Sequence, residues 1–232
     1  MRRLVVVLVS LLAFSGCQAK SSFLKSPLEN EGEVYLYHDP FPQSADRLSF
    51  WVEELSAVKE DGSVFPLSLA LEDFNGAELR RQRFVASGRL PAGVYSGFLC
   101  KVKRAELKTE EGTAELLVSG EPSKIDFSFS VEKRKAVAIA MAFKYGESLQ
   151  GGVSFSPVFA LRILERPLTG LTGYLSNYGS DTITIFDKKK HQVAGVIATG
   201  AGPAGISLDR RLSKAYVALS EDDAVGVLDV AS

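Results

Sequence analysis

The sequence predicts an all-β protein in which a two-sheet domain is followed by tandem repeats. Short segments of alternating apolar and polar residues, separated by turn residues, occupy residues 33–165, and such patterning is typical of β-sandwiches and barrels. Beyond them, residues 174–187 recur without a gap as residues 216–229, a spacing of 42 residues. A fixed period of this kind indicates repeated supersecondary units. With 46% hydrophobic and 24% charged residues, the chain has the composition of a globular protein.

The first sixteen residues are predicted to be a secretion signal. Two arginines precede the apolar run 4–14, which is too short for a membrane span, because crossing the hydrocarbon core takes about 20 residues. Small residues at 15–16 then precede Cys17. This arrangement resembles the lipobox of bacterial lipoproteins, with Phe14 where that pattern usually has Leu. The resemblance implies that Cys17 is lipidated and becomes the mature N-terminus; ordinary signal cleavage is the alternative.

The lipobox-like segment implies an extracytoplasmic protein anchored to a membrane by its N-terminal lipid. A non-acidic residue after the cysteine, here Gln18, implies the outer membrane if the organism is Gram-negative; the membrane face stays open. Residues 17–32 lack periodicity and are predicted to be a flexible tether. Without residues 1–16 the chain has 25 basic and 28 acidic residues, so no basic field indicates a nucleic-acid partner.

Residues 33–165 are predicted to form a β-sandwich. Their alternating segments are separated by turn residues at intervals of about ten residues and include no long helical stripe, which favours two packed sheets of short strands. The predicted strands are Val34–His38, Arg47–Val58, Ser63–Leu69, Glu78–Ala86, Val94–Leu107, Thr113–Val118, Ile125–Val131, Ala136–Lys144 and Val153–Leu161.

Two turns in this domain support a more specific comparison. Residues 61–67 read Asp-Gly-Ser-Val-Phe-Pro-Leu, and residues 90–95 read Leu-Pro-Ala-Gly-Val-Tyr before a long strand. Pro presets one turn dihedral, and Gly readily adopts a positive φ. The order of these segments resembles transthyretin-like or carboxypeptidase-regulatory-type sandwiches found in bacterial lipoproteins. The resemblance implies an accessory or binding module and carries no chemistry.

The repeats of residues 166–232 predict a further all-β unit. Tyr174–Asn177, Thr182–Phe186 and Val193–Ala198 are predicted strands, and Gly205–Leu208 begins the next repeat. The segments 174–187 and 193–208 resemble the YVTN-type β-propeller repeat of bacterial surface and periplasmic proteins, in which each repeat forms one four-stranded blade. The residues expected to have structural roles in the repeat are Tyr174, Asn177, Asp181, Asp187, Gly200, Gly202, Pro203, Gly205, Tyr216, Asp223 and Asp229.

Physical roles follow for several of these residues. We expect Asn177 and Asp181 to bond turn backbone and Asp187 to organise the hairpin after its strand, while the three glycines permit tight passage between blades. The sequence departs from the family pattern at residues 209–211, Asp-Arg-Arg instead of Pro-Asp-Gly, and at Leu219, which stands where the first copy has Asn.

The number of repeats is small for a propeller. Residues 174–232 contain about 1.4 periods, whereas closed propellers have four to eight blades of about 40 residues. The sequence therefore predicts the first one to two blades of a truncated β-propeller, with the chain being the front part of a longer protein. The alternative is a small β appendage on the sandwich.

Few residues offer catalytic or metal chemistry. The only histidines, His38 and His191, have no partner at metal-ligand spacing, and each is expected to be solvated or to cap a turn. Cys100 lies in an alternating segment and is expected to be a buried, inert thiol. Residues 200–205 match the dinucleotide fingerprint Gly-x-Gly-x-x-Gly, but a predicted strand follows and Pro203 lacks an N–H donor. We therefore expect no catalytic residue, metal or cofactor.

Three further features favour structural roles. Trp51 is expected in the sandwich core, with a ligand platform as the alternative. Residues 221–223, Glu-Asp-Asp, are expected to form an exposed hairpin in preference to a calcium site, because only the last acidic residue recurs in the repeat. The lysines 188–190 are expected to be solvated at a hairpin, with phosphate binding as the alternative.

Together these features predict a non-catalytic lipoprotein of the cell envelope that binds a protein or glycan, or acts as a scaffold, through its sandwich and propeller surfaces. Two alternatives stay open. Related blades occur in copper- and quinone-dependent enzymes, so the chain could be the N-terminal part of a redox or hydrolytic enzyme whose site residues lie beyond residue 232. The other alternative is a structural component of a surface layer.

Overall fold

The computed structural model describes residues 30–165, 171–209 and 211–230, and it confirms the predicted all-β fold. The helical elements in these ranges are short: α1 (Tyr145–Ser148) and the 3-10 turns Gln43–Ala45 and Tyr178–Ser180. The strands are β1 (Glu31–His38), β2 (Leu48–Lys59), β3 (Val64–Pro66), β4 (Ser68–Leu69), β5 (Asp73–Asn75), β6 (Arg83–Pro91), β7 (Gly93–Lys108), β8 (Thr113–Val118), β9 (Ser123–Val131), β10 (Ala136–Phe143), β11 (Leu149–Gln150), β12 (Ser154–Phe155), β13 (Phe159–Ile163), β14 (Thr172–Asn177), β15 (Thr182–Asp187), β16 (Gln192–Ala198), β17 (Pro203–Asp209), β18 (Lys214–Leu219) and β19 (Ala224–Asp229).

The first thirteen strands form two sheets around one hydrophobic core, which is the sandwich. One sheet has five strands in the order β13-β10-β1-β6-β4. The other has eight, with the path β11-β12-β8-β7-β2-β3 and with β5 on β2 and β9 on β7. The 16-residue β7 organises the larger sheet, because it pairs with β2 on one side and divides its other edge between β9 and β8.

Alternation along each strand sends one set of side chains into this core. Along β2, Leu48, Phe50 and Val52 are buried and point inward. Phe50 stacks on Phe74 with ring centroids 4.8 Å apart, one pair in a cluster of aromatic rings. A tyrosine of β7 closes the turn between β6 and β7. The hydroxyl of the buried Tyr95 donates a hydrogen bond to the carbonyl of Pro91 at 2.8 Å.

Several predicted strand boundaries are wrong for identifiable reasons. The segment predicted as one strand over 63–69 divides into β3 and β4, which pair in different sheets across the buried Leu67. The strand predicted to begin at Glu78 begins at Arg83. The last predicted strand of the sandwich is interrupted around Pro157, which has no N–H to donate to a ladder. At the other end, β1 begins at Glu31, inside the segment predicted as tether.

Two three-stranded antiparallel sheets follow the sandwich, in the orders β14-β15-β16 and β17-β18-β19. We call them the first and second repeat sheets. Their registers are equivalent: Tyr174 pairs with Ile185 in the first sheet, and Tyr216 pairs with Val227 in the second, 42 residues later in each case. The described residues give each sheet three strands, one fewer than the four expected for a blade.

The first repeat sheet lies between the sandwich and the second repeat sheet. One of its faces packs against the five-stranded sheet of the sandwich, through Val193 and Val196. On its other face, Ile183 and Ile197 belong to a cluster that includes Val217 of the second repeat sheet. The three layers are therefore stacked in chain order.

Candidate functional site

The contact between the sandwich and the first repeat sheet, which we call the junction, has an apolar centre. It lies on the outer face of the five-stranded sheet, where β1 and its parallel neighbour β10 bury side chains on both sides, as parallel strands in covered sheets generally do. Phe84 packs at its margin, with its ring centroid 5.6 Å from that of Tyr37. The buried residues of the junction are Tyr35, Tyr37, Ala138, Ala140, Leu164 and Val196.

A polar network crosses the junction beside this apolar centre. Tyr35 donates a hydrogen bond from its hydroxyl to Oε2 of Glu33 at 2.7 Å, and Arg89 Nε lies 3.4 Å from the other carboxylate oxygen. Glu33 is only 6% exposed, so these partners compensate the cost of burying its charge. Burial, followed by the charge of Glu33, raises the pKa of Tyr35 above its ordinary range, while a hydrogen bond with Thr182 of the first repeat sheet opposes the rise.

Asn177 supplies the repeat-sheet side of the network. Its Nδ2 donates hydrogen bonds to Thr182 Oγ1 at 3.1 Å and to Thr184 Oγ1 at 2.8 Å. Thr184 in turn bonds Tyr37, whose pKa burial raises to about 12. The prediction that Asn177 bonds turn backbone is therefore wrong: its amide orders two hydroxyls that meet the sandwich.

Asp181 and Asp223 occupy equivalent hairpins and share a left-handed backbone conformation, with φ of 57° and 49°. Aspartate tolerates this region better than most residues. Asp181 bonds turn backbone, as expected: its Oδ1 accepts the N–H of Gly202 at 3.1 Å, and its carbonyl accepts the N–H of Thr199. It thereby ties the first repeat sheet to the start of the second.

Asp187 organises its hairpin as predicted. Its Oδ1 accepts the N–H groups of Lys189 and Lys190 at 2.8 and 3.0 Å, and these bonds, led by that of Lys190, hold its pKa below the ordinary range despite partial burial. Asp209 closes the β17–β18 hairpin in a similar way, by accepting the N–H groups of Arg211 and Leu212. Residues 209–211, where the sequence departs from the YVTN-type pattern, therefore still begin a hairpin closed by an aspartate.

The predicted role of the glycines holds for two of the three. A Cβ on Gly202, whose φ is +65°, would lie 2.8 Å from Glu221 Cγ, and a Cβ on Gly200 would collide with the Asp222 carboxylate. Gly205 has open space where its Cβ would be, so its predicted part in a tight passage is wrong. β17 begins at Pro203, directly after Gly202, and contains Gly205, so the dinucleotide fingerprint lacks the helix that it requires.

The remaining repeat residues take structural positions. The buried Pro203 opens β17 opposite Leu219. Tyr174 packs in the cluster between the two repeat sheets, whereas Tyr216, at the equivalent position, lies opposite Ser207 on the outer face of the second sheet. Asp229 ends β19 opposite Lys214.

Residues 221–223 form an exposed hairpin, as expected. Two of their carboxylates accept hydrogen bonds, one from the first repeat sheet and one from the segment that follows it. Glu221 Oε1 accepts the hydroxyl hydrogen bond of Tyr178 at 2.8 Å, and Asp222 Oδ2 accepts the N–H of Ala201 at 2.7 Å. Within the described residues, no group of three or more His, Cys, Asp or Glu side chains could hold a metal ion.

At the edge of the junction lies a cleft of about 310 Å³ that sequence reasoning missed. Arg80 and Arg81 from the loop before β6 and Lys190 and His191 from the β15–β16 hairpin line it, and we call it the basic cleft. Gln82 joins its two sides: Nε2 donates to Asp39 Oδ1 at 3.1 Å, and Oε1 accepts the Val193 N–H at 2.7 Å. The sequence signal was two clusters of cations, 110 residues apart, and only the docking of the first repeat sheet brings them together.

His38 is buried, contrary to the prediction of a solvated or capping side chain. It is fully covered, and its ring lies 4.4 Å from that of Phe41. Neither imidazole nitrogen has a well-formed hydrogen bond to a described residue. The backbone and the carboxylate of the neighbouring Asp39 favour the protonated ring, but their effect is smaller than that of burial. Burial therefore lowers the pKa of His38 to about 4.

Trp51 and Cys100 both lie in the larger sheet of the sandwich, on β2 and β7. Trp51 is half-buried on the outer face of the larger sheet, so its predicted place in the core is wrong; the guanidinium carbon of Arg104 covers its ring at 3.8 Å. Cys100 is buried, as expected, and burial raises its pKa to about 12, which keeps the thiol protonated and inert.

The predicted lipidation residue, Cys17, lies outside the described residues, as do the signal segment and most of the tether. In the part of the chain that the structure describes, no helix combines the length and apolarity needed to cross a membrane.

Comparisons of this chain with protein-family models, with curated protein sequences and with solved structures found no match.

Proposed function

We propose that this protein is a non-catalytic binding or scaffold module of the cell envelope, anchored by a lipid on Cys17, and that its two repeat sheets act as successive blades of a YVTN-type β-propeller. The observation that carries the proposal is the repetition of one sheet, in one register, at a spacing of 42 residues, with the first copy seated on the sandwich. The lipobox-like sequence before Cys17 supports the envelope location, and the outer membrane is its destination if the organism is Gram-negative.

The outer face of the second repeat sheet is the surface that we propose for a protein partner. Val225 and Val227 are 65% and 53% exposed there, at the positions where the first sheet has the buried Ile183 and Ile185. Exposed, contiguous apolar side chains on one face mark interaction surfaces. A broad depression of about 580 Å³ runs beside them, lined by Tyr216 and its neighbours.

Metabolic labelling with radioactive palmitate tests the anchor. The wild-type protein is expected to incorporate label and to fractionate with membranes, whereas Cys17→Ala is expected to be unlabelled. An unlabelled wild-type protein in the soluble fraction would refute the lipid anchor and favour ordinary cleavage of the signal.

Site-specific photo-crosslinking in living cells tests the binding role. A photoreactive residue at Val225 is expected to give a discrete adduct, and one at Leu117, which is 69% exposed on the sandwich, serves as the matched control. Identical adducts at both positions, or none at Val225, would refute the proposed binding face.

A further inference from the structure

The basic cleft carries more positive charge than its own lining residues compensate. Arg81 and Lys190 are both exposed, and neither forms an ion pair within the described residues. Arg80 is the cation of the cleft that has a partner, an ion pair with Asp46 at 2.5 Å. The side chains that line the cleft include no carboxylate among the described residues.

The carboxylates nearest to the cleft are already engaged. Asp39 accepts from Gln82 and forms an ion pair with Arg162 at 3.1 Å. Asp187 accepts the backbone N–H groups of its own hairpin, and it attracts the charge of Lys190 without forming an ion pair with it. Glu165 lines a neighbouring depression that Lys190 also borders, but the two side chains do not form an ion pair. Within the described residues, an arriving anion would therefore not have to break an ion pair of Arg81 or Lys190.

Both walls of the cleft are held in place before any ligand arrives. Gln82 bonds the sandwich through Asp39 and the first repeat sheet through the Val193 N–H. Asp187 fixes the hairpin that carries Lys190. Such preorganisation lowers the entropic cost of binding.

We propose that the basic cleft binds an oxyanion group, phosphate or carboxylate, of the ligand that this module recognises. The guanidinium of Arg81 offers paired donors that match two oxygens of such a group, and Lys190 adds a point charge from the opposite wall. A volume of about 310 Å³ suits one small charged group or sugar ring. This inference rests on the proposed binding role and names its ligand chemistry.

Calorimetric titration of the full chain, purified in detergent, tests the inference with two probes. Inorganic pyrophosphate represents phosphate ligands, and citrate represents carboxylate ligands. At least one is expected to bind at low salt, and the one that binds more tightly identifies the source of the oxyanion. The double variant Arg81→Gln/Lys190→Gln is expected to lower that affinity at least tenfold, and raising the salt concentration is expected to weaken binding to the wild-type protein.

The matched control is Arg47→Gln/Lys103→Gln, which removes one exposed arginine and one exposed lysine elsewhere on the sandwich and leaves the same net charge. Its affinity is expected to equal that of the wild-type protein, and thermal melting should show all three proteins folded. No binding of either probe, or equal losses in the two double variants, would overturn the inference. Failure of palmitate labelling would instead refute the proposed lipid anchor and leave these titrations unchanged.

Discussion

The two repeat sheets share strand order and register but meet different neighbours. In the first, Thr182 and Thr184, ordered by Asn177, face the hydroxyls of Tyr35 and Tyr37 on the sandwich. A buried hydroxyl needs a hydrogen-bond partner, and this face of the first sheet supplies two.

The second sheet has Leu219, Ala224 and Gly226 at the same three positions. This face meets the first repeat sheet, through a cluster built from Ile183 and Val217, where hydrocarbon needs no polar partner. The two copies therefore differ where their neighbouring layers differ in polarity. Leu219 replaces Asn177 because its side chain meets an apolar layer, and no turn residue is lost by the change. Each sheet is adapted to what lies before it in the chain.

The faces of the two repeat sheets that point away from the sandwich are both apolar, but they differ in exposure. Ile183 is fully buried because the second sheet covers it, whereas Val225, its equivalent, is 65% exposed. Replacing each of these two side chains by alanine should therefore give the largest difference in stability between the two sheets.

We expect Ile183→Ala to lower the free energy of opening of the first repeat sheet by about 2–5 kcal/mol, because it leaves a cavity between two packed sheets. Val225→Ala is expected to change the stability of the second sheet by less than about 0.5 kcal/mol. Native-state hydrogen exchange, read by mass spectrometry on peptides from β14–β16 and β17–β19, measures both. Equal costs at the two positions would contradict the comparison and would show that another layer covers Val225 in solution.

The pattern of apolar residues predicted most strands because alternation is local, and the gap-free repeat predicted the two matching sheets. Three of the predictions that failed depend on contacts that are distant in sequence. Trp51 alternates like a core residue but lies on the outer face under Arg104. His38 reads as polar, yet the phenylalanines around it come from β5 and β13 and from the loop after β1. The basic cleft exists only because residues 80–82 meet residues 190–192 across the junction.

The stacking of layers also predicts that both repeat sheets depend on the sandwich for stability. Unfolding the sandwich with acid tests this dependence. His38 has a folded-state pKa of about 4, below its ordinary value of 6.5, so the unfolded chain binds the proton more readily. The neutral ring's contribution to stability is fully present above pH 6.5 and is lost as the pH falls towards 4, a decrease of about 3 kcal/mol. Because the first repeat sheet rests on the sandwich and the second sheet on the first, both should lose protection together with the sandwich.

Urea denaturation at several pH values, followed by fluorescence of the single tryptophan of the chain, which lies in the sandwich, measures this slope. His38→Leu is expected to reduce the dependence between pH 4 and 6.5, and His191→Gln, which removes the only other histidine, is expected to leave it unchanged. A slope that survives in His38→Leu would assign the acid sensitivity to other groups. Repeat sheets that keep their protection when the sandwich opens would contradict the dependence of these sheets on the sandwich.

The smallest effect is expected from removing the polar group by which the first sheet differs from the second, the hydroxyl of Thr182. Thr182→Val keeps the shape of a side chain that is 1% exposed but removes the hydroxyl that bonds Asn177, Ser180 and Tyr35. We expect a loss of about 1–2 kcal/mol in the opening free energy of the first repeat sheet, since the partners stay buried with fewer bonds. Ala224→Val, at the equivalent position of the second sheet, is expected to stay within about 0.5 kcal/mol of the wild-type protein. If the two substitutions had equal effects in hydrogen exchange, the Thr182 hydroxyl would make no stabilising contact with the sandwich. A larger effect of Thr182→Val would show that this contact stabilises the first repeat sheet.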